Sequence, residues 1–268
     1  MPQVATAVLD IAYEESGNPD GLPVILLHGF PYDVRAYDEV AALLSDARVL
    51  VPYLRGFGAT RFRSEGTVRS GQQAALAQDL LDFMDALGLE KAIVAGYDWG
   101  GRAACIVSAL WPERVHGLVT VDGYNVQNLA YAGEPTKPEW ERTYWYQYYF
   151  HSERGRLGLQ RNREELCELL WRTWSPRWDG AAEAFRASAP SLHNPDFVEV
   201  VIHSHRHRFG LAPGDPRYQP LEDLIAGDRS SQYPLWLLKL APMAWAGLAR
   251  PVTAISSRVP TATFIWRP

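Results

Sequence analysis

The sequence predicts a mainly parallel α/β sheet, doubly wound by helices, with an inserted helical segment. Three observations carry that reading. Short apolar runs alternate with amphipathic stretches from Pro23 to Val121, the pattern of strands joined by crossover helices. One run, Ala92 to Ala95, enters Gly96-Tyr97-Asp98-Trp99-Gly100-Gly101 and leaves as an apolar helical stretch, Arg102 to Leu110, which Trp111-Pro112 stops. From about Val126 strand-like runs give way to aromatic-rich helical ones.

Taken in order, Val4 to Tyr13 alternates loosely and predicts a first strand or hairpin, and Ser16 to Gly21 is a turn cluster. Pro23-Val24-Ile25-Leu26-Leu27 is continuously apolar, as expected of a strand buried on both faces. It runs into His28-Gly29-Phe30-Pro31. Asp33 to Ser45 predicts a short amphipathic helix and Ala47 to Pro52 the next strand. The glycine-rich turn Arg55-Gly56-Phe57-Gly58 follows, with Arg55 expected to tie loops together. Ser70 to Leu87 predicts a helix in which Ser70 is the N-cap and Gln73 completes a capping box, with Gly88 as the stop. Leu89 to Ala95 leads to the sharp turn, and Val115 to Val121 is the strand after it, ending in Asp122. Phe30, Asp98 and Asp122 thus all fall at carboxyl ends of strands, where open α/β sheets place their sites.

The turn at Asp98 is where chemistry is expected. Glycines flank it because a strand-to-helix turn this tight leaves no room for Cβ atoms. The following helix points its free N–H groups and partial positive charge at the same spot. A carboxylate held there needs no base to act as a nucleophile and can attack an sp3 carbon to give an ester.

Gly-Tyr-Asp-Trp-Gly-Gly resembles the nucleophile elbow of α/β-hydrolases of the epoxide hydrolase and haloalkane dehalogenase type. The resemblance implies an α/β-hydrolase fold in which Asp98 is the nucleophile and the main-chain N–H groups of Phe30 and Trp99 form the oxyanion hole. His28-Gly29-Phe30-Pro31 matches the family's His-Gly-X-Pro loop, and Tyr146-Gln147-Tyr148-Tyr149-Phe150 is similar to the Tyr-Gln-X-Tyr-Phe stretch of epoxide hydrolase caps. Tyr146 would then donate a hydrogen bond to the epoxide oxygen, with Tyr149 and the Trp99 ring lining the substrate. The family's second ring-activating tyrosine aligns here with His205, whose imidazole is expected to donate in its place. The implied reaction is epoxide opening through an Asp98 ester. A haloalkane dehalogenase-like hydrolase is the alternative within the family, and an inactive relic or small-ligand binder is the alternative outside it. Asp122, one strand after the elbow, is a candidate acid.

The implied organisation is a hydrolase core over residues 1–125, a helical cap over 126–213, and a return to the core over 214–268 with an aberrant tail after about 227. The resemblance calls for a later strand bearing an acid and a loop bearing a histidine that activates water. From Arg229 to Pro268 there is no Asp, Glu or His, and His207 is the last histidine. Back-translated in a shifted frame, the stretch after Asp228 admits Ser-Ile-Ile-Thr-Val-Pro-Thr-Val-Val and Ala-Asp-Gly-Val-Gly. The tail is therefore expected to be out of frame after about Gly227.

Composition bounds the rest. The 268 residues are 47% hydrophobic, enough for one core domain plus an insertion. A net charge of −5 gives no basic footprint for nucleic acid or an anionic membrane. Two cysteines, Cys105 and Cys167, read as small buried hydrophobes. His203, His205 and His207 sit at two-residue spacing, which converges on a strand and not on the helix predicted here, so no metal and no cofactor is expected. Met-Pro-Gln-Val lacks a basic leader pattern and no uncharged run is long enough to span a bilayer, which predicts a cytoplasmic protein. Its expected partners are a small apolar substrate and water.

Overall fold

The computed structural model describes residues 1–121, 126–226 and 263–266. Asp122, to which a candidate acid role was given, and the tail from Gly227 to Ala262 lie outside the described residues.

The sheet forms where the sequence is continuously apolar. A hairpin-like edge comes first, with β1 (Gln3–Ala5) antiparallel to β2 (Leu9–Gly17). Then come β3 (Pro23–Leu27), α1 (Asp38–Leu43), β4 (Arg48–Pro52), the short β5 (Arg61–Phe62), α2 (Gln73–Ala86), β6 (Ala92–Gly96), α3 (Asp98–Leu110) and β7 (Val115–Thr120). The spatial order is β1-β2-β4-β3-β6-β7, with β5 off the path on β2. β3 pairs in parallel with β4 on one side and β6 on the other, and β6 pairs in parallel with β7. The side on which strands are added therefore reverses at β3, while β4, β3, β6 and β7 all run parallel. The carboxyl ends of β3 and β6 are therefore the switch point at which such sheets place ligands. Ile25, Leu26 and Leu27 on β3, and Val49 and Leu50 on β4, are buried with Phe83 and Met84 of α2 and Ile106 of α3 in one core. Central parallel strands covered on both faces have no need of polar alternation.

Three local expectations change. The predicted helix from Asp33 begins as a 3-10 turn, Val34–Tyr37, whose N-cap Asp33 accepts from the Arg35 N–H, before α1 starts at Asp38. α2 begins at Gln73, not Ser70. Ser70 Oγ accepts from the Gln72 N–H in a local turn, and the Gln73 amide makes two bonds with the main chain of Gln127 and so does not complete a capping box. In the C-terminal stretch, β8 (Thr263–Trp266) lies antiparallel to β7 where no strand was expected. Thr-Phe-Ile-Trp is a β-branched and aromatic run suited to a sheet edge.

Helices follow β7: α4 (Pro138–Thr143), α5 (Trp145–His151), α6 (Glu153–Arg161), α7 (Arg163–Trp174), α8 (Ala181–Ser188), α9 (Phe197–His207) and α10 (Gln219–Ala226). They are fixed to the loops at the carboxyl end of the sheet. Trp171 Nε1 donates to the Pro31 carbonyl at 3.1 Å. Ser188 and Ser191 donate to the buried Asp33 carboxyl, and Asn194 Nδ2 donates to the carbonyls of Phe57, Gly58 and Thr60. Below them Arg55 grips Asp79 through Nε and Nη2, both at 2.6 Å, and reaches the Ser70 carbonyl and the Tyr218 hydroxyl. It ties the loop after β4 to α2 and to the start of α10. Among the described residues no helix is long and apolar enough to cross a membrane.

Candidate active site

β6 ends at Gly96, Tyr97 is extended, and Asp98 opens α3 with φ of +46°, the one non-glycine residue with positive φ among those described. Such an angle costs a non-glycine residue on the order of 1 kcal/mol or more and persists only where the surroundings enforce it. Here they do. The Gly100 N–H donates to the His28 carbonyl at 2.9 Å, which locks the first turn of α3 onto the loop after β3. A Cβ on Gly100 would lie 2.1 Å from the Leu27 carbonyl oxygen, and one on Gly29 would lie 2.7 Å from Asp98 Cβ. The two loops can meet only because neither position carries a side chain.

The approach sets the carboxylate. Asp98 Oδ2 accepts from the Phe30 N–H at 2.9 Å, and Oδ1 accepts from Arg102 Nη2 at 3.2 Å, one helical turn on. Trp99 follows at the first turn of α3, where helix amides have no intrahelical carbonyl to bond. Its ring is 1% exposed and packs beside Phe30 and against the edge of Phe57.

The helical segment closes over this point with rings. Tyr146 on α5 is buried and stacks on Phe30 at 6.1 Å, with His205 of α9 at 5.6 Å and Phe150 at 5.9 Å. Tyr146 Oη accepts from Gln147 Nε2 at 3.2 Å. Burial raises its pKa against the opposing Arg208 charge, with a smaller push upward from Asp98, so the phenol keeps its proton. His205 is 1% exposed, edge-on to Phe30 and 6.4 Å from the Trp99 ring centre. Burial, and after it the Arg208 charge, hold it well below the usual histidine range, so it is neutral. Its Nδ1 lies 2.8 Å from the Val201 carbonyl, which can only accept. The ring's single proton is spent there, and Nε2 carries a lone pair. The expected donation from His205 to a substrate is thereby corrected, because the neutral ring can only accept. Tyr149 is turned from Phe150 by one residue step, about 100° around the helix. Its hydroxyl lies where a Cβ on Gly158 of α6 would sit, so the structure does not bring it to the Asp98 cluster.

A profile of the α/β hydrolase fold family matches residues 23–157, which include the loop after β3, the elbow and α5. The chain belongs to the α/β-hydrolase fold family. This hydrolase is similar to the crystal structure of a presumed epoxide hydrolase from Klebsiella pneumoniae subsp. pneumoniae, with 43% identity and a TM-score of 0.82 over 84% of this chain and 75% of that one. It is 30% identical over 197 residues to Epoxide hydrolase B of Mycobacterium tuberculosis, 66% of this chain and 54% of that protein. It is also 36% identical over 111 residues to Proline iminopeptidase of Neisseria meningitidis, 41% of this chain and 35% of that protein. The match thus spans about half or less of these curated relatives. One N-terminal framework is shared by proteins of different names, so the shared stretch carries the fold and leaves the substrate to the groups around Asp98.

Two of those groups were not foreseen in the sequence. Arg102 of this hydrolase is a lone charge in an apolar helix, four residues after Asp98, and that spacing was the available signal. Arg208 follows α9 and approaches Arg102 only in three dimensions. His28, by contrast, is a structural residue. It is fully buried, its Nδ1 lies near the Gly29 carbonyl, and its Nε2 accepts from the Leu54 N–H at 3.1 Å. Burial lowers its pKa to about 4. His203 and His207 stack on each other on one face of α9, while His205 points inward. Among the described residues no group of three candidate ligands could hold a metal ion.

Proposed function

We propose that this hydrolase opens small epoxides through an ester formed on Asp98. The observation that carries the reading is the Asp98 carboxylate itself, held at φ +46° with Oδ2 on the Phe30 N–H and Oδ1 on Arg102. Oδ1 attacks an epoxide carbon, and the carbon–oxygen bond of the ring breaks. The Tyr146 hydroxyl gives its proton to the departing oxygen. Oδ2 becomes the ester carbonyl oxygen, already beside the Phe30 N–H. Water then adds to the ester carbon, and the oxyanion on Oδ2 is stabilised by the N–H groups of Phe30 and Trp99 before the diol leaves. The helical segment acts as a cap, setting the rings of Tyr146, Phe150 and His205 against Phe30 beside the site.

Ester hydrolysis needs a base. Both ring nitrogens of His28 are engaged within the fold, which leaves His205, with its Nε2 lone pair, as the described histidine in this cluster. The first step is therefore expected to outrun the second, leaving a covalent adduct. Incubation of the intact protein with styrene oxide should add the mass of the epoxide to the peptide that contains Asp98, and Asp98→Asn should abolish the gain. Absence of any adduct and of any diol would favour the relic reading. Chloride release from a 1-chloroalkane without reaction at the epoxide would favour the dehalogenase-like one.

A further inference from the structure

We infer that the buried Arg102–Arg208 pair receives a carboxylate carried by the substrate, beside the carbon that Asp98 attacks. The inference rests on the Asp98 reading and narrows its substrate class to small epoxides bearing a carboxylate.

Both arginines are 7% exposed. Arg102 comes from α3 and Arg208 from the end of α9. Together they line one small recess, whose wall includes the polar side chains of Gln72, Gln73, Gln127 and His207. Each guanidinium has a buried Nε with no hydrogen-bond partner. Arg102 spends Nη2 on Asp98, and Arg208 makes one long contact, 3.4 Å from Nη1 to Gln127 Oε1. Two buried cations thus share one carboxylate, Asp98, among the described residues. Removing an ion from water costs several kcal/mol unless a partner offsets it. The imbalance shows in neighbouring groups. Burial and then the Arg102 charge lower Arg208 to about 10, and the Arg208 charge helps keep His151 and His205 neutral. His207, also on the recess, is lowered to about 4 by burial and brings no further charge.

The missing partner is planar, anionic and small. A carboxylate matches the guanidinium fork and takes charge-assisted bonds from both residues. It need not react. While it rests on Arg102 and Arg208, Oδ1 of Asp98 bonds to the adjacent epoxide carbon, the ring C–O bond breaks, and the epoxide oxygen takes its proton from Tyr146. A neutral substrate of the same shape would leave the cations unpaired, and a buried polar site rejects such an analogue strongly.

The test compares glycidate with glycidamide, equal in size and different in charge, on the full-length protein. The readout is the rate of mass gain on the Asp98 peptide. Glycidate is expected to label at least about tenfold faster, the effect of one charge-assisted pair. Propionate, which cannot alkylate, should raise the thermal midpoint where propionamide does not. In Arg208→Gln the glycidate-to-glycidamide ratio should fall to about one and the propionate shift should vanish. Arg208→Lys, which keeps the charge without the fork, should retain an intermediate ratio. Equal labelling by the two epoxides in the unmodified protein overturns the inference and leaves the nucleophile reading intact. Stabilisation by propionate with no labelling by either epoxide supports the carboxylate site at the arginine pair and overturns the Asp98 reading, and with it the epoxide as the carrier of that carboxylate. Chloride protecting as well as propionate at the same concentration overturns it too, since the recess would then be a simple anion hole.

Discussion

Asp98 adopts a backbone angle that a side chain normally avoids, and every close neighbour contributes to holding it there. Tyr146 retains its proton, because burial raises the phenol pKa by more than the Arg208 charge lowers it. In the proposed reaction that proton goes to the alkoxide forming next to Asp98. Tyr146→Phe is therefore expected to slow adduct formation from styrene oxide by about 10²-fold. A 1-chloroalkane expels halide, which needs no proton, so its labelling rate should change little. Equal losses with both reagents, followed by mass spectrometry of the Asp98 peptide, would show that Tyr146 serves packing alone. His205 is the corresponding residue on α9, but with Nδ1–H on the Val201 carbonyl it can only accept. Which ring nitrogen carries the proton depends on a carbonyl one helical turn back, and residue identity does not reveal that.

At the scale of elements, the elbow depends on how closely β3, its loop and α3 approach. Gly100→Ala would drive a methyl to 2.1 Å from the Leu27 carbonyl oxygen, with backbone on both sides and no flexible side chain to yield. A loss of more than about 3 kcal/mol is expected, seen as a large drop in thermal midpoint or failure to fold. Gly88→Ala is the control. Its φ is +66° but its Cβ would meet nothing within 4 Å, so only the backbone cost of about 1 kcal/mol applies. Equal penalties would show that the close approach of α3 to β3 is unimportant. Arg55→Ala should also be severe, about 3–5 kcal/mol, because Asp79 would remain buried without its partner. Elements of this kind were legible where the signal is local. Pro23–Leu27 reads as a strand because a run buried on both faces is uniformly apolar, and the elbow reads from its glycines. Signals closed by distant residues were misread. Gln73 resembled a capping residue, yet its amide is taken by Gln127, 54 positions later. The Arg102–Arg208 pair and the β7–β8 pairing are likewise products of topology, with partners too far along the chain for any periodicity to show.

Five histidines of the molecule are held below their ordinary pKa, and this sets its response to acid. The pKa of His28 is lowered to about 4 by burial, as is that of His207, and that of His205 is lowered well below the usual range. His151 and His203 shift in the same direction. In the unfolded chain each returns to about 6.5. Between about pH 6.5 and 4 the unfolded state therefore binds more protons than the folded state, and stability falls as pH falls through that window. His28 is fully buried, and its shift alone corresponds to about 3 kcal/mol lost by pH 4. Asp33, Asp38, Asp79 and Asp82 oppose this, since burial raises their carboxyls and the folded state takes up those protons first, so the histidines set the direction only in so far as their larger shifts prevail. The thermal midpoint should be nearly level from pH 8 to 6.5 and then decline steeply towards pH 4. His28→Asn should begin less stable, because the Leu54 N–H loses its ring acceptor, and should decline less on acidification. A midpoint that stays level down to pH 5 would mean that these rings are already solvated or protonated in the fold. The tight seating of α9 over Asp98, which keeps His205 dry and neutral, would then be lost with it.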